Sequence, residues 1–425
     1  MTTTCINRRQ TLKTLAALAT IQIVPRHVLG GPGHTPPSEQ LTKAIIGCGG
    51  ISASHLKMPG KLVALCDVDE QHLNRRLKWA KKSNMNWVKG YHDYRELLEQ
   101  DDVDIVHVCT PPHWHARQVI DSFKAGKDVW GEKPMSRTIA EGVQMVKAAE
   151  KYNKIYRINT WFRFREGLYG LGATAKEIKK AAMNDLLGWP LKVTVSGITG
   201  FNWKFNWVGK TNLKTEPVPP YFDYDYWLGP APKKPYNRHR THGTFRGYWD
   251  YDGGGLGDMG QHYLDPVQYI LGKDNIAPIS VEIDADPQDA DAVGTWRRIE
   301  FTYADGCKIV LDGANKDKDA AYIEGPKGKI FKGMRSDIPD LKKKIAALPD
   351  PPPMLTDFME AVRTRKKFAL NERNGFWSCT LVNLGKIAHR SNKSFHFDSK
   401  TLKIDVPEAD RYVSQSARDP WGIKI

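Results

Sequence analysis

Short apolar runs recur through the first third of the chain, each followed by a polar or helix-like stretch. Lys43 to Ile46, Leu62 to Cys66, Ile105 to Cys109 and Asp128 to Gly131 predict strands, while a segment from Ala53 and another over His115 to Ala125 predict helices. Strands and helices alternating at this spacing imply an α/β fold with a doubly wound parallel sheet, whose ligands gather at the carboxyl ends of the strands. The pattern then changes. Leu191 to Gly197, Val281 to Ile283, Thr295 to Tyr303, Lys308 to Asp312 and Ala320 to Glu324 follow one another as strands, which predicts an α+β domain with an open, mostly antiparallel sheet. Thr356 to Arg363 and Gly375 to His389 predict helices near the C-terminus.

A chain of 425 residues exceeds what one core usually supports. We divide it into a signal and linker at 1–38, a nucleotide-binding domain at 39–160, a substrate and oligomerisation domain at 161–400, and a C-terminal tail at 401–425. The formal charge of +15 is spread along the whole chain, and the runs Lys342-Lys343-Lys344 and Arg363 to Lys367 fit solvated helix faces, so nucleic acid is not expected as a partner. No apolar run approaches the roughly 20 residues that a membrane-spanning helix needs. Cys48, Cys66 and Cys109 fall in or beside apolar runs as small hydrophobes, and the six cysteines show no zinc or redox spacing. Arg8-Arg9 ahead of the modestly apolar Thr14 to Val24 resembles a Tat export signal, which implies a periplasmic or otherwise exported protein.

The first strand runs into Gly47-Cys48-Gly49-Gly50-Ile51-Ser52. Gly47 permits the tight strand-to-helix turn, Gly49 lets a pyrophosphate approach backbone N–H groups, and Ser52 takes the place of a third small residue. Asp67, at the end of the next strand, can accept both ribose hydroxyls and repel a 2'-phosphate, favouring NAD over NADP.

A second candidate centre lies in Gly253-Gly254-Gly255-Leu256-Gly257-Asp258-Met259-Gly260-Gln261-His262, with a helix expected from near Gly257 to Leu271 and a left-handed cap at Gly272. Asp258 and His262, four apart, share a helical face. An imidazole can take a hydroxyl proton near neutral pH, and a neighbouring carboxylate can orient it. Neither the His113-x-His115 pair nor Asp265 supplies enough ligands for a metal, and none is expected.

Gly47-x-Gly49-Gly50-Ile51, Asp67, Thr110-Pro111 with His115, Ala125-Gly126-Lys127, Glu132-Lys133-Pro134 and the Gly-Gly-Gly-x-x-Asp-x-x-x-His helix together resemble the glucose-fructose oxidoreductase and inositol dehydrogenase family, Gfo/Idh/MocA, from about Lys43 to Asp398. The resemblance implies that Thr110, Pro111, His115 and Glu132 help to hold NAD, that Lys133 lies beside the nicotinamide and the reacting carbinol, and that His262 is the acid/base with Asp258 as its partner. Trp161, Arg163 and Arg246 are assigned with Asp258 and His262 as substrate contacts. The aromatic stretch Phe201 to Tyr251, interleaved with Arg238, His239, Arg240, His242 and Arg246, suits a carbohydrate. The expected activity is NAD-dependent oxidation or reduction of a sugar, glycoside or polyol CH–OH group, in a homo-oligomer, dimer or tetramer. Two alternatives are an NAD-dependent glycosidase working through a 3-keto intermediate and a non-catalytic sugar or nucleotide sensor.

Overall fold

The computed structural model describes residues 40–425 except Trp161, Arg165, Glu166, Tyr169 and 202–206. The expected export signal, Trp161 and Trp203 therefore lie outside the described residues.

β1 (Thr42–Ile46), β2 (Lys61–Cys66), β3 (Lys89–Tyr91), β4 (Ile105–Val108), β5 (Asp128–Gly131) and β6 (Tyr156–Ile158) form a parallel sheet in the order β3-β2-β1-β4-β5-β6. β4 and β5 are buried along their whole length, as expected of strands covered on both faces, so they read as continuous apolar runs. The strand order reverses between β1 and β4, and a ligand crevice opens outside their carboxyl ends.

β7 (Lys192–Ser196), β8 (Ser280–Ala285), β9 (Trp296–Thr302), β10 (Lys308–Asp312), β11 (Ile323–Gly325), β12 (Gly328–Ile330), β13 (Phe395–Asp398) and β14 (Lys403–Ile404) form the second sheet, ordered β12-β11-β7-β10-β9-β8-β13-β14. Its pairings are antiparallel apart from β7 with β10. One face buries Val193, Val195, Ile299, Phe301, Ile309 and Leu311. The helix Glu372–Ser391 lies on that face, with Phe301 and Ile299 closing on Gly385. The opposite face carries charged pairs, Glu300 with Arg298 and Lys308, and Glu324 with Lys192 and Lys329.

Three boundaries differ from expectation. The glycine-rich helix begins earlier, running over Gly254–Ile270, because Gly253 (φ 135°) makes the entry turn. The helix placed at His115 to Ala125 runs over Pro112–Lys124, so His113 and His115 sit in its first turn rather than in a loop. The tail is not featureless: β14 extends the sheet past residue 400 and a short helix, Pro407–Asp410, follows. Beyond it, Trp421 packs on Trp114 (ring centroids 4.9 Å) and stacks on Tyr226 (5.2 Å), while Arg418 bonds to Gly229 O and to Asp225.

Most of the aromatic stretch is core. Among the described residues, Phe222, Tyr224, Trp227, Tyr236, Tyr248 and Tyr251 pack against one another, while Tyr226, Trp227 and Phe245 also reach a cavity. This segment is tied to the first sheet by an isolated bridge between Asp69 and Phe222, by Glu70 N on Tyr221 O (3.0 Å) and by Asp223 N on Val68 O (3.0 Å).

Candidate active site

At the carboxyl end of β1, Gly47 adopts φ 94°, and a Cβ there would stand 2.7 Å from the carbonyl carbon of Cys109. No residue with a side chain fits that turn. Gly49 and Gly50 have open space where their Cβ atoms would be, on the side facing a cavity of about 500 Å³. Bare backbone facing an open cavity at a helix start is what a pyrophosphate requires. From behind, Arg76 braces the turn, its guanidinium on Gly49 O (2.7 Å) and Ser52 Oγ (2.9 Å).

Asp67 lines the cavity one strand over and accepts from Cys48 N (2.6 Å) and Asp69 N (2.9 Å). Burial pushes its carboxyl up to about 6, so it is ionised at neutral pH and placed to receive ribose hydroxyls. These residues fit a dinucleotide, and the cavity volume falls in the range of small-molecule sites.

Thr110, Pro111, Glu132 and Lys133 line the far side of the floor. His115 does not reach the cavity. Its ring nitrogens lie 2.7 Å from Pro134 O and 2.7 Å from Thr110 O, stapling two lining loops together. Glu132 is held by His55 Nε2 (2.8 Å) and Asn159 Nδ2 (2.6 Å), and His55 in turn meets His107 (2.8 Å). Burial alone would raise the Glu132 carboxyl, but the His55 contact prevails and brings it down to about 2. No periodicity marks His55 or Asn159 for this role.

Lys133 crosses to the second half of the molecule, its Nζ donating to Asp258 Oδ1 (2.9 Å) and to Asp258 O (2.9 Å). Arg246 Nε also donates to Asp258 Oδ1 (2.8 Å). Burial opposes the ionisation of Asp258, yet Lys133 and Arg246 hold its carboxyl below the usual range. An ammonium has three protons, and two are spent on Asp258, so Lys133 keeps one donor for a ligand in the cavity it lines.

His262 lies one turn further along the same helix, beside Phe162 (ring centroids 4.7 Å), with Nδ1 3.0 Å from Thr160 Oγ1. Burial and then the charge of Lys133 lower its imidazole to about 3, so it is neutral at physiological pH and a weaker base than a free imidazole. The cavity lining does not include it, so the expected dyad is split: Asp258 faces the ligand space and His262 is set deeper.

Arg163 is not placed as a substrate contact. Its guanidinium is buried and spent on Asp265 (2.7 and 2.9 Å) and Asp274 (2.6 and 2.8 Å), which also accounts for Asp265 without a metal. A buried arginine with two carboxylates holds a fold together.

The roof of the cavity comes from the aromatic segment: Tyr226, Trp227, His242, Phe245 and Arg246. The backbone carbonyl of Trp227 takes both the His113 ring (2.9 Å) and the Trp114 indole N–H (2.8 Å). His242 adopts a left-handed φ of 51° and sets Nε2 3.2 Å from Asp69 Oδ2, with its ring 4.6 Å from that of His72. Asp69, His72 and His242 are the group among the described residues whose ligand atoms, all within 4.8 Å, could hold a metal ion. The basic and aromatic composition of 201–251 hinted at a ligand there, but not at this cofactor-side role.

With this geometry established, the chain was compared with known proteins. The Gfo/Idh/MocA oxidoreductase profile for an NAD-binding Rossmann fold matches residues 41–160, and that for the family's C-terminal alpha/beta domain matches 171–423. The chain belongs to the Gfo/Idh/MocA oxidoreductase family. Within it, residues 41–160 are the NAD-binding domain whose floor is described above. Among relatives, a glycosyl hydrolase family 109 protein of Shewanella pealeana is 30% identical over 35% of this chain and 38% of its own length. An alpha-N-acetylgalactosaminidase of Shewanella oneidensis is 33% identical over 28% of each chain. The alignments thus span well under half of these relatives. Among solved structures, the WlbA dehydrogenase of Chromobacterium violaceum, in complex with NADH and UDP-GlcNAcA, aligns at TM-score 0.58 and 19% identity, over 89% of this chain and 99% of that one. The aldose-aldose oxidoreductase of Caulobacter crescentus, complexed with glycerol, aligns at 0.53 and 18%, over 84% and 100%. At these identities the structures show a shared fold.

Proposed function

We propose that the protein moves a hydride between NAD and the carbinol carbon of a sugar, glycoside or polyol. The observation that carries the reading is the buried Lys133–Asp258 ion pair lining the cofactor cavity, with neutral His262 one helical turn behind it. Bound NAD supplies the hydride acceptor in the oxidation direction. Lys133 spends its remaining N–H on the alcohol oxygen and stabilises the charge that develops there. The hydroxyl proton passes toward His262, one helical turn behind Asp258 and outside the cavity lining, so a C=O remains as the hydride and proton leave separately. Asp258 keeps Lys133 and Arg246 in place. Among the substrate contacts assigned from the sequence, Arg246 and Asp258 line the cavity and fit this role.

A second reading, cleavage of a glycoside through transient oxidation and elimination, is favoured by the names of the Shewanella relatives. The proposal also includes export in folded form, supported by Arg8-Arg9 and the apolar segment after it, and assembly as a homo-oligomer. No helix among the described residues is long and apolar enough to cross a membrane.

The test is to purify the protein without added nucleotide, denature it and identify any released cofactor. The intact protein, supplied with NAD, is then offered glycosides and polyols while reduced nicotinamide is followed by absorbance. Reduction by one sugar class supports oxidoreduction. Release of free sugar from an aryl glycoside without net reduction supports the second reading, and no response to any of them defeats both.

A further inference from the structure

Asp252 is a buried carboxyl group that the chemistry above does not use. It immediately precedes the glycines that open the Gly254–Ile270 helix, its exposure is 0%, and neither of its carboxylate oxygens has a hydrogen-bond partner among the described residues. Its Oδ1 lies 2.3 Å from where a Cβ on Gly257 would stand, so the group presses on the backbone directly before Asp258. Two carboxyl groups thus flank the first turn of one helix, in contrasting surroundings.

Asp258 takes both nearby cations, Lys133 and Arg246. Asp252 forms no ion pair among the described residues. Lys386, the other cation facing it, turns its Nζ to Arg137 O (3.1 Å) and Asn383 Oδ1 (3.3 Å) while its stem packs on Gly253. An ionised carboxylate in that position would lose its hydration and receive no hydrogen bond in exchange, and a second anion beside Asp258 would repel the first.

We propose that Asp252 is a positioning residue that holds a proton while Asp258 is ionised, the two carboxyl groups carrying one negative charge between them, so that Lys133 and Arg246 stay fixed on Asp258. Burial and the charge of Asp258 agree with this, pushing Asp252 up to about 7 against the opposing pull of Lys386, Arg246 and Lys133. The role of Asp252 toward Lys133 rests on the function proposed above, but its protonation can be measured without any substrate.

A carboxyl raised in the folded state contributes its full stability below the unfolded pKa near 4, and loses it as pH rises through about 7. Asp252→Asn imitates the protonated acid. In NAD-saturated protein, the melting temperature of the variant relative to wild type is expected to rise by several degrees between pH 4 and pH 8.5. A variant melting lower at every pH would mean that Asp252 is a charged partner of Lys386, and would overturn the proposal. Should Asp252→Asn fail to fold, infrared titration of the wild-type protein decides. Three carboxylic-acid groups losing their protons between about pH 5 and 8, one more than Asp67 and Asp265 (each about 6) supply, support the proposal, and only two refute it. In turnover, the variant should lose a neutral-pH transition in kcat without a change in nucleotide affinity. If no sugar reduces NAD, the function falls while the melting result still stands.

Discussion

The floor and the roof of the cofactor cavity are built from different materials. The floor is backbone: the Gly47 turn, the open faces of Gly49 and Gly50, and strand ends that place Asp67 and Glu132. The roof is side chains from separate segments, joined by pairs such as Lys133–Asp258, Arg246–Asp258 and His242–Asp69. A backbone wall is fixed by local conformation and fails as a unit, whereas a wall of paired side chains can be altered one contact at a time. Cofactor binding and chemistry should therefore separate under mutation.

The largest separation is expected at Lys133. Lys133→Met keeps the stem and removes the donor, leaving Arg246 to hold Asp258. Sugar-dependent NAD reduction should fall about 10²–10⁴-fold, the usual worth of a group acting on the proton or the developing charge. NAD affinity, measured by nucleotide fluorescence, should change little, and a parallel loss of both would show that floor and chemistry are not separable.

Next is Arg163, assigned to the substrate from sequence and found holding Asp265 and Asp274. Arg163→Ala leaves Asp265 buried without its partner, which costs about 3–5 kcal/mol. The measurement is a denaturant midpoint, with KM for the reactive sugar as the control. A variant of normal stability and raised KM would restore the substrate assignment.

Within the floor, two glycines should respond in opposite ways. Gly47→Ala meets the backbone of Cys109 and a forbidden φ, and should destabilise the protein by at least about 1–3 kcal/mol. Gly50→Ala enters open space and should leave the melting temperature of the free protein unchanged, while weakening NAD by about tenfold where a Cβ crowds the pyrophosphate. Equal NAD affinity in Gly50→Ala and wild type would move the phosphates away from this turn.

The floor was legible in the sequence because each of its signals is local: a glycine turn after an apolar run, an acid at the next strand end, Lys133 beside a proline. The second sheet was legible in five of its eight strands and mostly in their direction, while the short β12, β13 and β14 were not. The roof was legible only in single residues such as Asp258 and Arg246, since many of its contacts join residues more than a hundred apart, as His113 and Trp227 do, and no period in the chain encodes such a pairing. The aromatic segment misled for the same reason. Rings that close a core and rings that stack on a sugar have the same composition, and burial separates them. Arg163 likewise read as a site residue until Asp265 and Asp274 were found to be its partners.

The smallest expected effect is at His242, where floor and roof meet. Its φ of 51° is a conformation that a side chain adopts at a cost of about 1–3 kcal/mol, and the neighbouring bridge between Asp69 and Phe222 holds the segment in place. Strain of this kind persists where the surroundings require it, and here it sets an imidazole against Asp69 at the edge of the cavity, beside Asp67 and His72. His242→Gly removes the ring and relaxes the backbone together. The variant should melt at or slightly above wild type, since glycine accepts the left-handed conformation freely. It should also release NAD about three- to tenfold faster in a stopped-flow chase, a change of about 0.7–1.4 kcal/mol. Faster release at undiminished stability would make His242 a closure of the cofactor site supplied by the other half of the chain, whereas unchanged release with lowered stability would reduce it to one more contact between the two halves.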